Sequence, residues 1–133
     1  MTPLSYTCTH LARSITTGGG IAVIHKRSIK VETTKDRVQA KTFEQLSLRI
    51  TTTTKCFTLI CIYRPPPSSR NKLSTSDFHT EFSSLLSVHS KINTLILGDF
   101  NVQLNNLNKH DSKKVLSLLD HTGYNQHVDQ ATH

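Results

Sequence analysis

The middle of the chain changes its hydrophobic period twice, and this change constrains the fold more than any other feature. Residues 56–63 are apolar on both faces of an extended chain, which predicts a central strand. Residues 78–86 then place apolar side chains at helical spacing, with Ser76 or Asp77 as the expected N-cap. Residues 94–97 return to a short apolar run, which predicts a second buried strand. This order of strand, helix and strand predicts an α/β architecture of packed layers.

The sequence before this region predicts further strands of the same sheet. Residues 21–24 follow three glycines and predict a buried strand, while residues 29–31 alternate with polar residues and predict a sheet edge. Residues 46–50 predict a strand with one wet face, joined as a hairpin to the central strand. The first 17 residues show no clear period, so we interpret residues 1–17 as a poorly defined N-terminal segment.

The sequence after residue 110 predicts a second helix. Asp111 or Ser112 is the expected N-cap, apolar side chains recur over residues 115–119, and Gly123 has the position of a C-cap. Residues 124–128 are then expected to return to the sheet.

Length and charge limit the classes of protein to consider. The 133 residues allow one domain of ordinary size, and the net charge of +7 lies entirely in the first half. Lys26, Arg27 and Lys30 belong to the densest basic stretch, which suits a polyanion such as nucleic acid. A solvated surface that keeps the protein soluble is the alternative for this stretch.

The chain shows no sign of secretion or of a membrane span. No run approaches the roughly 18 apolar residues that a spanning helix requires, and the first residues lack the pattern of a signal peptide. Of the three cysteines, Cys56 and Cys61 are five residues apart in a predicted strand, so their side chains point to opposite faces. We expect an intracellular protein, nuclear or cytoplasmic, without a membrane partner.

Two of the predicted strands end in polar motifs suited to phosphate chemistry. Tyr63 and Arg64 follow one apolar run, and Asp99, Phe100 and Asn101 follow the other. Functional groups gather at the carboxyl ends of strands in open α/β sheets. If the chain stays extended, the Asp99 carboxylate and the Asn101 amide share one side, with the phenylalanine between them turned inward. The Asp99 carboxylate can accept the proton of an attacking water. The Asn101 amide, the Tyr63 hydroxyl and the Arg64 guanidinium can bind a phosphate. An Asp-x-Asn sequence after a strand is also typical of a simple turn.

Five motifs in this order resemble one known family. They are Gly-Gly-Gly-Ile-Ala-Val (18–23), Ile-Tyr-Arg-Pro-Pro (62–66), Asp-Phe-x-x-Glu-Phe-x-x-Leu-Leu (77–86), Leu-Ile-Leu-Gly-Asp-Phe-Asn (95–101) and Gln-His-Val-x-Gln-Ala-Thr-His (126–133). The set resembles the endonuclease/exonuclease/phosphatase domain of LINE-type (non-LTR) retrotransposons, over residues 18–133 as a partial domain.

The resemblance implies a fold, a reaction and partners. The fold is a partial four-layer α/β sandwich of the DNase I-like kind, with two packed, mostly antiparallel or mixed sheets flanked by helices. The reaction is Mg²⁺-dependent hydrolysis of a DNA phosphodiester, which makes this class a hydrolase. The resulting nick primes reverse transcription by a reverse transcriptase domain in a full-length relative. DNA is therefore the implied partner and Mg²⁺ the implied cofactor.

The resemblance also assigns site residues. Asp99 matches the residue that aligns the attacking water, Asn101 the residue that contacts the scissile phosphate, and Tyr63 the tyrosine that hydrogen-bonds it. Thr132 matches a threonine on the phosphate side, and Arg64 is a further candidate for the phosphate.

Several family residues have no counterpart in this sequence. They are an N-terminal Asn, the metal-ligand Glu and a closing Asp-His pair, and none of Glu32, Glu44 and Glu81 replaces the missing ligand. We interpret the eight histidines as solvated or capping residues and assign no metal ligand. We therefore expect a nuclease domain truncated at both ends and inactive as it stands. A non-catalytic basic nucleic-acid-binding remnant and a non-functional translated fragment are the alternatives.

Overall fold

The computed structural model describes residues 3–12, 20–89, 93–128 and residue 130. Within these residues the chain is mixed α/β, with two sheets and two helices, so the predicted class is confirmed at this level. The elements are β1 (Tyr6–Ala12), β2 (Gly20–Lys26), β3 (Lys30–Thr33), β4 (Glu44–Thr51), β5 (Cys56–Tyr63), α1 (Thr75–His89), β6 (Thr94–Asp99) and α2 (His110–Thr122).

The chain divides into two compact units. The sheet unit contains residues 1–37, 43–63 and 92–99, and with them all six strands. The helical unit contains residues 38–42, 64–91 and 100–133, and with them both helices. Neither helix in the described part of the chain is long and apolar enough to cross a membrane.

The sheet unit holds a four-stranded sheet in the order β3-β4-β5-β6. The β3/β4 and β4/β5 pairs are antiparallel and the β5/β6 pair is parallel, which confirms the predicted hairpin, the central strand and the edge at β3. β1 and β2 form a separate antiparallel pair. No strand is predicted within the poorly defined segment of residues 1–17, whereas residues 6–12 form β1.

The core of the sheet unit lies between β2 and β4. Ile21 of β2 is buried together with Leu46, Leu48 and Ile50 of β4. β2 itself is buried on one face only, because Ile24 on its other face is 61% exposed. The expectation of a buried strand over residues 21–24 is thus wrong for Ala22 and Ile24, which are exposed.

β4 differs from its prediction in the opposite direction. Gln45 and Ser47, on the face expected to be wet, are buried, and of the predicted wet residues only Arg49 is exposed. The Gln45 amide donates to the Ser47 hydroxyl at 2.6 Å and to the Asp36 carbonyl at 3.2 Å. These hydrogen bonds offset the cost of burying polar side chains, so alternation with polar residues did not mark a solvent face here.

β6 is predicted to be buried, but none of its residues is fully buried and one of its faces is exposed. Leu95 is 43% exposed and Leu97 is 48% exposed. β2 packs on β4 and β5, whereas β6 is the outer strand of the four-stranded sheet. The exposed face of β6 therefore reflects its edge position in the sheet.

Cys56 and Cys61 lie at different registers of the hairpin, opposite Thr51 and Leu46 respectively. Both thiols are free, and Cys56 is exposed whereas Cys61 is half-buried. Burial raises the pKa of the Cys61 thiol. The predicted separation of the two side chains is consistent with this placement.

α1 buries the predicted apolar stripe of residues 78–86 but begins earlier than expected. The Ser74 hydroxyl accepts a hydrogen bond from the Asp77 N–H at 3.2 Å, which makes Ser74 the capping residue. The expectation of a cap at Ser76 or Asp77 is therefore wrong by two or three residues. In α1 Asp77 instead lies in the first turn, where its charge favours the positive end of the helix dipole.

α2 ends as predicted and begins differently. Gly123 adopts the left-handed conformation of a C-cap, with φ 77°. The N-cap is Lys109, which makes no side-chain capping bond, and the Ser112 hydroxyl instead donates to the Gln103 carbonyl at 2.8 Å. Residues 124–128 form no strand, so their predicted return to the sheet is wrong.

Candidate active site

The two predicted motifs lie at the ends of neighbouring parallel strands. β5 ends at Tyr63 and β6 ends at Asp99, and these two residues are directly opposite each other in the parallel register. The carboxyl ends of parallel strands meet at one edge of a sheet, so both motifs emerge from the same edge. The predicted strand-end position is thus confirmed for both.

Tyr63 and Asp99 also share one face of the sheet. Opposed residues on neighbouring strands point the same way, and the strands lie about 4.8 Å apart. Tyr63 is half-buried and packs against the core cluster of the sheet unit, whereas Asp99 is exposed. Packing therefore fixes the tyrosine ring while the carboxylate beside it faces solvent.

Glu44 is a third member of this row, and the sequence interpretation missed it. It is the first residue of β4 and lies opposite Tyr63 in the antiparallel register, which gives the row Glu44, Tyr63 and Asp99. The pairing of Thr51 with Cys56 near the hairpin turn fixes this register. The short loop between the two strands was the signal that predicts Glu44 opposite Tyr63.

Gly98 allows β6 to continue as far as Asp99. Its φ is +149°, and a Cβ placed on it would lie 1.9 Å from the Ile62 carbonyl oxygen. A side chain there is excluded both by overlap with the neighbouring backbone and by a φ that L-residues rarely adopt. The strand predicted over residues 94–97 stops before Gly98, but Gly98 permits the close approach that pairs Asp99 with Tyr63.

The backbone turns at Asn101, so the extended chain from Asp99 to Asn101 is wrong and the alternative of a turn is confirmed. Asn101 has a positive φ of 49°, which Asn tolerates better than most residues. Its Nδ2 donates to the Arg64 carbonyl at 2.6 Å. Phe100 is turned inward as predicted, with its ring 5.7 Å from the Phe82 ring in an edge contact.

Arg64 lies inside the helical unit and is only 2% exposed. Its guanidinium donates to the Asp111 carboxylate at 3.2 Å and to the Phe100 carbonyl and the Thr75 hydroxyl, both at 3.4 Å. It also lies over the Phe78 ring, with 3.9 Å from Cζ to the ring centroid. These contacts give Arg64 an internal structural role, and its assignment to a substrate phosphate stays a prediction.

Asp111 joins Arg64 to a histidine. Its Oδ2 accepts from Arg64, and its Oδ1 lies 2.5 Å from Nε2 of His79 on α1. His79 is 9% exposed, so the interpretation of all histidines as solvated or capping is wrong for this residue. No local pattern predicts this pair, because its members are 32 positions apart in the sequence.

Glu81 has a structural partner as well. Its carboxylate accepts hydrogen bonds from the N–H groups of Lys41 and Thr42 at 3.0 Å each, and from the Thr42 hydroxyl at 2.5 Å. Burial alone raises the pKa of Glu81, but these hydrogen bonds and the Lys41 charge together lower it below its ordinary value. Glu81 thus anchors residues 41–42 to α1.

The predicted basic residues lie at the turn after β2. Lys26 ends β2, Arg27 follows it and Lys30 begins β3, and all three are exposed. Arg27 Nε donates to the Tyr6 carbonyl at 3.2 Å, and Lys30 pairs with Glu32 at 3.3 Å. The turn keeps the positive charges at the surface, as the prediction required.

Two predicted features are not resolved by these contacts. Thr132 lies outside the described residues. Among the described residues, no three His, Cys, Asp or Glu side chains come together as a possible metal site. Mg²⁺ sites use one or two carboxylates together with substrate oxygens. Asp99 supplies one carboxylate, which by itself is not a complete set of ligands.

The comparisons with known proteins add no relative. The chain matches no protein-family model, and no curated protein matches it. The residues and contacts of this chain and the resemblance of its motifs are therefore the basis for a function.

Proposed function

We propose that this chain is part of an Mg²⁺-dependent DNA endonuclease of the kind that LINE-type retrotransposons use to nick their target. In this proposal Asp99 aligns the attacking water, Tyr63 hydrogen-bonds the scissile phosphate and Asn101 contacts it. The proposal includes the four-layer, DNase I-like sandwich as the complete fold. Mg²⁺, when bound, would neutralise the charge that develops on the phosphate.

One observation supports the proposal most strongly. The parallel β5/β6 register sets Tyr63 and Asp99 side by side at the carboxyl edge of the sheet. A phosphate there would meet a neutral hydroxyl, which donates a hydrogen bond, and a carboxylate, which accepts a proton from water. The exposed position of Asp99 gives water and substrate access to the carboxylate.

The tyrosine assignment predicts a change in DNA affinity. We expect Tyr63→Phe to weaken binding of a DNA duplex about tenfold, because one hydrogen bond to a charged phosphate is worth about 1.5 kcal/mol. Tyr6→Phe is the matched control, since Tyr6 lies on β1 of the same unit. Fluorescence anisotropy with a labelled duplex measures both affinities.

The aspartate assignment predicts two effects of opposite direction. Without Mg²⁺, Asp99→Asn should tighten DNA binding, because it removes a negative charge facing the phosphate. With Mg²⁺, any nicking of supercoiled plasmid by the chain should disappear in the same variant. The exposed Asp120 on α2 provides the control Asp120→Asn.

Each result decides a separate assignment. Nicking that survives Asp99→Asn would overturn the role of Asp99, and unchanged affinity in both Tyr63→Phe and Asp99→Asn would overturn the site. Nicking that Asp99→Asn abolishes would support the site and contradict the expectation that this chain is inactive by itself.

A second candidate function is electrostatic binding of nucleic acid without hydrolysis. The exposed positions of Lys26, Arg27 and Lys30 at one turn favour it. In that case Lys26→Ala with Arg27→Ala would weaken DNA binding and flatten its dependence on salt, while Asp99→Asn would leave both unchanged. Affinity measured at several salt concentrations separates the two functions.

A further inference from the structure

Arg64 contacts two consecutive residues of the Asp99 motif with different parts of its structure. Its guanidinium donates to the Phe100 carbonyl at 3.4 Å, and its own carbonyl accepts from the Asn101 amide at 2.6 Å. An amide nitrogen that donates in this way fixes the plane and direction of the Asn101 side chain. Arg64 therefore holds both the backbone before Asn101 and the side chain of Asn101.

The guanidinium itself is held from three sides. Asp111 and Thr75 accept its hydrogen bonds, and the Phe78 ring lies beneath it. A buried guanidinium without partners is strongly unfavourable, so these contacts keep Arg64 in one position. Asp111 is restrained in turn, because His79 binds its other oxygen at 2.5 Å.

A surface arginine kept for its charge would show neither this burial nor this set of acceptors. At 2% exposure Arg64 has little surface to offer a solvent-borne phosphate. Its guanidinium instead contacts the backbone at Phe100, and residues of α1 and of the first turn of α2 hold it there. The arrangement suits a residue that acts on the substrate only through Asn101.

We propose that Arg64 is a positioning residue for Asn101, held in place by the Asp111 carboxylate and His79. The inference rests on the proposed function in one respect, since Asn101 is the phosphate contact of that function. Arg64 keeps the Asn101 amide in the direction that a phosphate would meet. Lys cannot replace it, because an ammonium lacks the planar fork that reaches Asp111, Thr75 and Phe100 together.

The first test observes the Asn101 side chain directly. In ¹⁵N-labelled protein, the Asn101 side-chain NH₂ signals should be dispersed and exchange slowly with solvent. We expect Arg64→Lys and Asp111→Asn to shift these signals toward those of a solvated amide and to speed exchange about tenfold or more. Asp120→Asn, an exposed change on the same helix as Asp111, should leave them unchanged.

The second test asks whether Arg64 acts through Asn101. We expect Arg64→Lys to weaken DNA binding about fivefold in the native background and to have almost no effect when Asn101→Ala is already present. Val115→Ala controls for general loss of stability, because Val115 is buried in α2 and makes none of the contacts above. It should lower the melting temperature without changing the Asn101 signals.

The outcomes separate the two proposals. If the Asn101 signals are unchanged in both Arg64→Lys and Asp111→Asn, Arg64 does not position Asn101. Equal effects of Arg64→Lys with and without Asn101→Ala would overturn the inference as well. If the signals shift but Asn101→Ala does not affect DNA binding, the positioning stands and the phosphate role of Asn101 fails. Should Arg64→Lys not fold, Asp111→Asn decides, since it keeps the size of the side chain and removes only the charge that holds the Arg64 guanidinium.

Discussion

The sheet unit and the helical unit differ in whether a key charged group is exposed or buried. In the sheet unit the cluster of Ile21, Leu46, Leu48 and Ile50 is apolar, and the Asp99 carboxylate is exposed. In the helical unit a guanidinium is buried among the side chains that also form the core, with its carboxylate partner beside it. The sheet unit thus ends at an exposed acid, Asp99. The helical unit begins, directly after Tyr63, with Arg64, which forms a buried ion pair.

This difference in exposure distinguishes a residue suited to chemistry, Asp99, from a residue suited to structural support, Arg64. An exposed carboxylate can be reached by water and a phosphate, whereas a buried ion pair must be matched in geometry to offset its desolvation. Stability should therefore depend on backbone packing in the sheet unit and on polar contacts in the helical unit. Pairs of matched substitutions test this contrast.

The largest effect is expected at Gly98 in the sheet unit. Gly98→Ala should lower the free energy of unfolding by at least about 3 kcal/mol, because its Cβ would overlap the Ile62 carbonyl oxygen and its φ is strained. Gly123→Ala is the control in the helical unit, since φ there is also positive but no atom lies within 4 Å of the added carbon. It should cost about 1 kcal/mol.

Urea denaturation of both variants measures these losses. Equal losses for the two glycines would mean that only the positive φ matters, and the close approach of β5 and β6 at Gly98 would then not be needed. A Gly98→Ala protein as stable as the native one would contradict the pairing of Tyr63 with Asp99.

The next effect concerns the buried ion pair of the helical unit. Asp111→Ala removes the acceptor of both Arg64 and His79, so we expect a loss of about 3 kcal/mol. Asp120→Ala removes an exposed carboxylate from the same helix and should change stability by less than about 0.5 kcal/mol. Similar urea midpoints for the two variants would show that the buried pair contributes nothing.

The elements that could be predicted are those with a strong period of their own. The run of residues 56–63 and the helical stripe of residues 78–86 specify their structure locally, and Gly123 specifies a helix end. β1 could not be predicted, because Tyr-Thr-Cys-Thr-His-Leu-Ala is too polar to show alternation. Its pairing with β2 depends on partners beyond residue 19.

The site could be predicted only where a strand places it. Tyr63 and Asp99 follow apolar runs, so their strand ends were predictable. The burial of Arg64 was not, because it depends on Asp111, which lies 47 residues away in the sequence. For the same reason the sequence left a turn and an extended chain at Asn101 as alternatives, since the Asn101 amide binds a carbonyl 37 residues earlier.

A smaller, pH-dependent effect is expected at Glu81 in the helical unit. Burial opposes ionisation, but hydrogen bonds hold the pKa of Glu81 below its ordinary value of 4.5, so its carboxylate stabilises the fold above that pH. Glu81→Gln should cost about 2 kcal/mol at pH 7, because the Glu81 carboxylate is a charged acceptor of three hydrogen bonds. This difference should shrink as the pH falls through the pKa of the folded state, because the native carboxyl is then protonated too.

The sheet unit supplies the control for this prediction. Glu32→Gln breaks an exposed pair with Lys30, which should be worth less than about 0.5 kcal/mol. Urea denaturation at pH 7 and pH 3 compares the two variants. A Glu81→Gln deficit that is the same at both pH values would contradict a stabilising carboxylate at residues 41–42.

The smallest effect tests whether polar contacts also govern the start of α1. Ser74→Ala removes the hydroxyl that accepts from the Asp77 N–H and should cost about 1 kcal/mol. Ser76→Ala removes a hydroxyl that the sequence pattern favoured as a cap, and it should be neutral within about 0.3 kcal/mol because Ser76 lies inside the helix. Urea midpoints distinguish the two. The reverse order of losses would move the start of α1 to the predicted cap, and the residues before it would then lie outside the helix.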